Sequence, residues 1–125
     1  MSVPEYRQFY INGQWRSSSS GKSSAIVCPV TEKVIGSLAL GTAADVDDAV
    51  AAARRAFSTF SVTSVEERRA LLERVQTLME VRAEELAVAM TTEMGTAISF
   101  ARSAQVPFGI AHVRAAIEAL SDYAF

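Results

Sequence analysis

Cys28 is the only cysteine of the chain, so an internal disulfide framework is ruled out and the chemistry left to its thiol is nucleophilic attack. A thiol attacks as thiolate, which needs a neighbouring base or a positive environment. Cys28 lies instead in Ile26-Val27-Cys28-Pro29-Val30, an apolar, strand-like stretch with no histidine near it in sequence. That setting predicts a small buried hydrophobe. His112 is the only histidine, and its nearest carboxylate in sequence, Glu118, is six residues on and so on another helical face. Metal sites draw several ligands together; this lone histidine, off the apolar stripe of its helix, predicts an exposed or helix-capping side chain. Glu84 and Glu85 are adjacent, which on a helix sends them to different sides and makes no acid–base pair. Glu66, Glu67, Arg68, Arg69, Glu73 and Arg74 read as a solvated helix face, with Glu66 and Arg69 at i,i+3.

Phosphate-binding chemistry fares no better. Gly21-Lys22-Ser23 resembles the tail of a P-loop, but that motif needs a glycine where Arg16 stands, a strand before and a helix after. Here a serine run, Ser17 to Ser20, precedes and a strand pattern follows, which predicts a flexible connecting loop. A dinucleotide fingerprint needs two glycines one residue apart, and no two of Gly13, Gly21, Gly36, Gly41, Gly95 and Gly109 are so spaced. The residues alone therefore supply no catalytic and no cofactor-binding constellation.

The elements that would position any such groups fall into a strand-rich front, residues 1–41, and a helical back, residues 42–125. Phe9-Tyr10-Ile11-Asn12-Gly13-Gln14-Trp15 predicts a hairpin, because Asn-Gly tolerates the positive φ values of a type I′ turn. Ala25 to Val27 and Val34 to Leu40 predict two more short strands around a turn at Pro29-Val30-Thr31-Glu32. Thr42 and Ser64 each stand three residues before an acid, Asp45 and Glu67, the spacing of a capping box. Behind Thr42, Val46, Val50, Ala53, Phe57 and Phe60 form one apolar stripe. Behind Ser64 run Leu71, Leu72, Val75, Leu78 and Met79, then Leu86 and Met90. The polar stretch Glu80 to Glu85 leaves open whether this is one helix or two. Gly95 predicts a left-handed stop. A last helix carries Val106, Ile110, Val113, Ile117, Leu120 and Ala124, with Pro107 predicted in a first turn or at a kink.

Composition bounds the partners. Of 125 residues, half are apolar and 21% charged, with 14 acids and 12 bases giving a net charge of -2. No basic stripe marks a nucleic-acid binder. Met1 to Arg7 lacks the apolar core of a signal peptide, and no apolar run approaches the roughly 18 residues of a spanning helix. A soluble, cytoplasmic protein without membrane partners is expected, in the form of an α+β unit with a short β-hairpin and small antiparallel sheet followed by three or four amphipathic helices.

The order of these features resembles a family. Phe9 to Trp15 is similar to the opening F-I-N-G-x-W hairpin of aldehyde dehydrogenases, and Cys28 to Gly36 to their N-P-x-T-G-x-x-I-G segment. Gly41 to Ala53 resembles their first-helix signature, with Phe57 at its closing A-F. Arg68 or Arg69 with Leu71-Leu72 looks like E-R-x-x-x-L, Glu93-Met94-Gly95 like acidic-x-Gly, and Leu120 to Ala124 like L-R-Y-Y-A. Three positions depart from the pattern: Cys28 replaces Asn, Glu32 replaces Gly, so that the turn there is expected to differ, and Thr96-Ala97 replaces K-P.

The resemblance implies an aldehyde dehydrogenase-like α/β fold, of which residues 1–125 would be the amino-terminal part of the cofactor domain, with the catalytic domain absent and Phe125 inside the domain as the family builds it. It implies oxidation of an aldehyde to a carboxylic acid through a cysteine-bound thiohemiacetal, with hydride transfer to NAD or NADP. The family draws its nucleophile, general base, oxyanion-hole asparagine and cofactor contacts from segments further along. This chain alone is then inactive and binds no cofactor, and Cys28 is not the nucleophile. In some relatives backbone carbonyls of the V-N-P strand and the acid before x-G hold a structural monovalent cation, which would fall on Ile26, Val27 and Glu93. The last helix borders the substrate tunnel, which would place Ala115 and Ala119 at its mouth. A rival expectation is a free-standing, non-catalytic interaction module whose uncovered helix faces drive self-association.

Overall fold

The computed structural model describes residues 5–123. The stripe position Ala124, the end of the chain at Phe125 and residues 1–4 of the leading segment lie outside the described residues. The chain forms two compact units, one reaching Val62 and the other beginning at Thr63. The division falls after the first helix, which thus belongs with the strands.

In the first unit, β1 (Glu5–Tyr6) precedes a hairpin of β2 (Gln8–Ile11) and β3 (Gln14–Ser17), with Tyr10 opposite Trp15. Asn12 and Gly13 take φ values of 54° and 75°, the pair of positive angles a type I′ turn requires. β4 (Ser23–Val27) and β5 (Val34–Ala39) pair antiparallel, while β1 joins the other edge of β5 in parallel, giving the order β1-β5-β4. The parallel edge was not predicted, because two residues are too few to show a period. β4 starts two residues before the predicted Ala25, because Ser23 and Ser24 pair with Ala39 and Leu38 although their side chains are polar. A register shift between Ile26 and Val27 leaves Ile35 as the extra residue on β5, the irregularity of a β-bulge.

Helix α1 (Ala43–Phe60) begins with the predicted capping box: Asp45 N donates to Thr42 Oγ1 at 3.2 Å and Thr42 N to Asp45 Oδ2 at 2.8 Å. The predicted stripe exists, but it is not the packed face within this unit. Val46, Val50, Phe57 and Phe60 are 46–67% exposed, whereas Ala52 is buried and Thr42, Asp45 and Ala49 are half-buried. Small side chains occupy the covered side of α1, and the hairpin strand β2 lies against this helix.

In the second unit, α2 (Val65–Val81) starts at the Ser64–Glu67 capping box, with Glu67 N on Ser64 Oγ at 3.1 Å and Ser64 N on Glu67 Oε2 at 2.8 Å. Arg82, at φ -101° and ψ 18°, leaves helical geometry, so α2 and α3 (Ala83–Met94) are two helices. Gly95 ends α3 in the left-handed conformation, φ 72°, with its N–H on Thr91 O. A short turn, α4 (Ile98–Phe100), widens into a π-helical segment, Ala101–Gln105, and continues as α5 (Val106–Asp122). Val106 N reaches back to Ala101 O across that wide turn, immediately before Pro107. A proline ring crowds the preceding turn, so the π segment and Pro107 are one feature: a first turn and a local widening together. Ala87, Ala101 and Val106 make the core, with Leu86, Met90, Ile98 and Ile110 around them. Val113, Ile117 and Leu120 continue the predicted half-buried stripe. α2 packs on α5 closely enough that a Cβ on Gly109 would sit 3.4 Å from Met79 Cε. Arg69 also donates to Ser121 Oγ between these helices.

Candidate functional site

Cys28 follows β4 at the head of the turn to β5. Its N–H donates to Lys33 O at 3.0 Å and its carbonyl accepts from Glu32 N at 2.8 Å. The side chain is 8% exposed, as expected of a buried hydrophobe. Its sulfur nevertheless faces donors: the Thr31 hydroxyl first, then the Thr31 and Val30 amides, and these hold its pKa below the ordinary thiol value. Donors of this kind stabilise a thiolate without accepting its proton, so none of them is a general base. Sequence alone could not show them, because they depend on how the turn closes. Glu32 carries φ 56°, the conformation glycine adopts freely. A glutamate thus takes a backbone conformation typical of glycine between the paired strands β4 and β5.

The serine run is an organised connection rather than a phosphate loop. Ser18 and Ser20 hydroxyls donate to Leu40 O at 2.6 and 2.8 Å, and Ser19 Oγ meets Thr42 Oγ1 at 2.7 Å. Ser19 N also donates to Asp45 Oδ1 at 3.3 Å. Asp45 thus accepts from the Thr42 amide, its strongest partner, and from Ser19, which lowers its pKa despite some desolvation. Ser23 opens β4 where a P-loop would open a helix.

The remaining candidates are dispersed. His112, Ala115 and Ala119 are exposed on α5, and Glu93 is exposed on the last turn of α3. Ile26 and Val27 belong to the first unit, flanking the register shift of β4 and β5, and Glu93 to the second. Glu84 takes Arg102 and Glu85 takes Arg82, at 2.5 and 2.7 Å, so the adjacent acids do face different partners. Each acid has its pKa lowered by hydrogen bonding to its arginine. Glu66 is lowered chiefly by its own backbone amide, with Arg69 a minor contributor. Thr91 Oγ1 and Gln105 Oε1, on α3 and in the π segment, are buried without a hydrogen-bond partner. Sequence gave no signal for that pair, because the π turn that buries Gln105 has no periodicity of its own.

Two of the cavities that border the hairpin differ in character. One, of about 510 Å³, is walled by Phe9, Tyr10, Ile11, Gly41, Val46 and Ala49 and is mainly apolar. The other, of about 240 Å³, is polar and lies at the turn end of the hairpin beside Arg16, Asp48 and Arg55. Among the described residues no nucleophile, base and oxyanion donor are brought together.

The profile of the aldehyde dehydrogenase family matches residues 15–124. The chain is 43% identical over 122 residues to a 3-succinoylsemialdehyde-pyridine dehydrogenase from a Pseudomonas species, covering 97% of this chain and 26% of that protein. Among solved structures, an aldehyde dehydrogenase C mutant from Pseudomonas syringae, in complex with NAD+ and octanal, is 50% identical with a TM-score of 0.92, over 95% of this chain and 24% of that one. An aldehyde dehydrogenase from Bartonella henselae is 35% identical with a TM-score of 0.94, over 97% and 25%. The chain therefore spans about a quarter of the length of the proteins it matches.

Proposed function

Because the chain belongs to the aldehyde dehydrogenase family, we propose that it contributes the amino-terminal part of an enzyme that oxidises an aldehyde to a carboxylic acid with NAD or NADP. The match over residues 15–124 carries this reading. What these residues supply is scaffold: the hairpin, the mixed sheet and the helices. The nucleophile, the base that activates water and the cofactor contacts come from outside them, so the isolated chain is inactive, binds no cofactor, and uses Cys28 for packing. Aldehyde-dependent NADH formation separates the possibilities. The 125-residue chain should give none, whereas the native polypeptide captured from its source cells by an antibody against this chain should be several times heavier and active. Turnover by the chain alone would overturn the assignment. We place the protein in the cytoplasm; among the described residues no helix is long and apolar enough to cross a membrane.

Two finer roles belong to the same reading. The carbonyls of Ile26 and Val27 with the Glu93 carboxylate hold a monovalent cation in the assembled enzyme; a potassium-dependent rise in Tm that survives Glu93→Gln would remove that role. Ala115 and Ala119, small and exposed four residues apart on α5, line the mouth of the aldehyde tunnel. Ala115→Trp in the complete enzyme should change the preference between short and long aldehydes, and unchanged kinetics would dismiss the assignment.

A second reading, a non-catalytic interaction module, is favoured by one observation: Val46, Val50, Phe57 and Phe60 on α1 and Leu71, Val75 and Leu78 on α2 are all at least 38% exposed. Uncovered apolar faces of this kind promote association. The isolated chain should scatter light as an oligomer; a monodisperse monomer would contradict self-association.

A further inference from the structure

We propose that the polar cleft between the hairpin turn and α1 binds a small oxyanion carrying two negative charges, of the phosphate or dicarboxylate type. The cleft holds about 240 Å³ and is lined by Asn12, Gln14, Arg16, Asp48, Ala51 and Arg55. Two arginines line it from different elements, Arg16 from β3 and Arg55 from α1. Arg16 makes one contact, Nη1 to Asp48 Oδ2 at 3.3 Å, and a guanidinium has five N–H donors in a planar fork. Arg55 contributes its carbonyl to the Ser58 hydroxyl, and its guanidinium has no partner among the described residues.

The resident carboxylate is thus outnumbered. Asp48 offsets one of the two positive charges through a single long contact, which leaves donors on both arginines for an incoming anion. Planar forks suit carboxylate and phosphate oxygens, which accept two N–H groups at once. Asn12 and Gln14, whose amides can donate without charge, and the small Ala51 complete the lining. Both walls are regular structure, a type I′ turn on one side and the middle of an 18-residue helix on the other, which fixes the backbone positions from which the side chains line the cleft. Solvent reaches the cleft, with Arg16 and Asp48 53% and 65% exposed, so the interaction weakens as salt rises.

Equilibrium dialysis of the whole 125-residue chain against radiolabelled inorganic phosphate and, separately, succinate tests the site, with ionic strength held constant by chloride. Saturable binding of one anion per chain is expected. Arg55→Gln should weaken it about tenfold or more, because a charged fork is lost. Asp48→Asn should tighten it severalfold by removing the competing carboxylate, a gain that misfolding cannot mimic. Lys22→Gln, at a lysine lining a different cavity, should change nothing. Binding of phosphate alone assigns a tetrahedral ligand and binding of succinate alone a two-ended one, and either supports the site. Absence of saturable binding for both probes, or binding indifferent to Arg55→Gln and Asp48→Asn, overturns it.

Discussion

Glu32 holds φ 56° at the turn from β4 to β5, where a side chain meets the crowding that costs an L-residue about 1–2 kcal/mol in the left-handed region. Glycine avoids the crowding but gives back part of the gain through its freer unfolded chain. Glu32→Gly should therefore stabilise the first unit by up to about 1 kcal/mol, read as a higher urea midpoint; a lower one would refute the strain. Asp45 is the other residue on which local order converges, since it accepts from the Thr42 amide that starts α1 and from the serine connection. Its folded pKa lies below the unfolded one, so the stabilisation is complete above the ordinary aspartate value of about 3.9 and is lost as pH falls through the lowered folded value. The gap in urea midpoint between the chain and Asp45→Asn should hold at neutral pH and close in acid. A gap that persists unchanged in strong acid would show that the charge of Asp45 is not the cause. The Thr42–Asp45 box was legible in sequence because capping is local. The donors around Cys28 were not, because they depend on how its turn closes, and the shared cleft of Arg16 and Arg55 was not, because it needs two segments to meet.

At the scale of elements, signals within one turn or one helix read correctly. The Asn12-Gly13 hairpin, both capping boxes, the stop at Gly95 and the α5 stripe all rest on local chemistry. Periodicity said that α1 has an apolar stripe and could not say what it faces: the large residues lie outward and the small ones, Ala49 and Ala52, inward. Side-chain size decides that packing, since a hairpin can approach a helix more closely over alanines than over Phe57. The break at Arg82 was left open because the charged residues Glu80, Arg82, Glu84 and Glu85 around it carry no helical phase. Close approach recurs at Gly109, which faces the flexible end of Met79 at 3.4 Å. A methyl there is in ordinary contact and α5 gains helix propensity, so Gly109→Ala should raise stability by about 0.5–1 kcal/mol. A loss of stability in urea unfolding would mean that the α2–α5 contact cannot adjust by even a methyl.

Taken whole, the chain exposes more surface than compact globules of its mass do. Its accessible surface is 9261 Å², whereas two separate globules of half its mass would together expose only about 7,900 Å². Among the described residues no large side chain is fully buried, the core is mostly alanine, and the large apolar side chains Val46, Val50, Phe57, Leu71 and Leu78 of α1 and α2 are exposed. This fits a chain that spans about a quarter of the proteins it matches, whose family was legible in the order of short motifs. The most direct measurement replaces the matching amino-terminal quarter of the Pseudomonas syringae aldehyde dehydrogenase by this chain and follows NADH formation from octanal. If these residues are a dehydrogenase scaffold, the chimera should retain activity within about tenfold of the parent, a loss of no more than roughly 1.4 kcal/mol in transition-state stabilisation. A chimera that folds, assembles and binds NAD+ as the parent does yet oxidises no aldehyde would contradict the account.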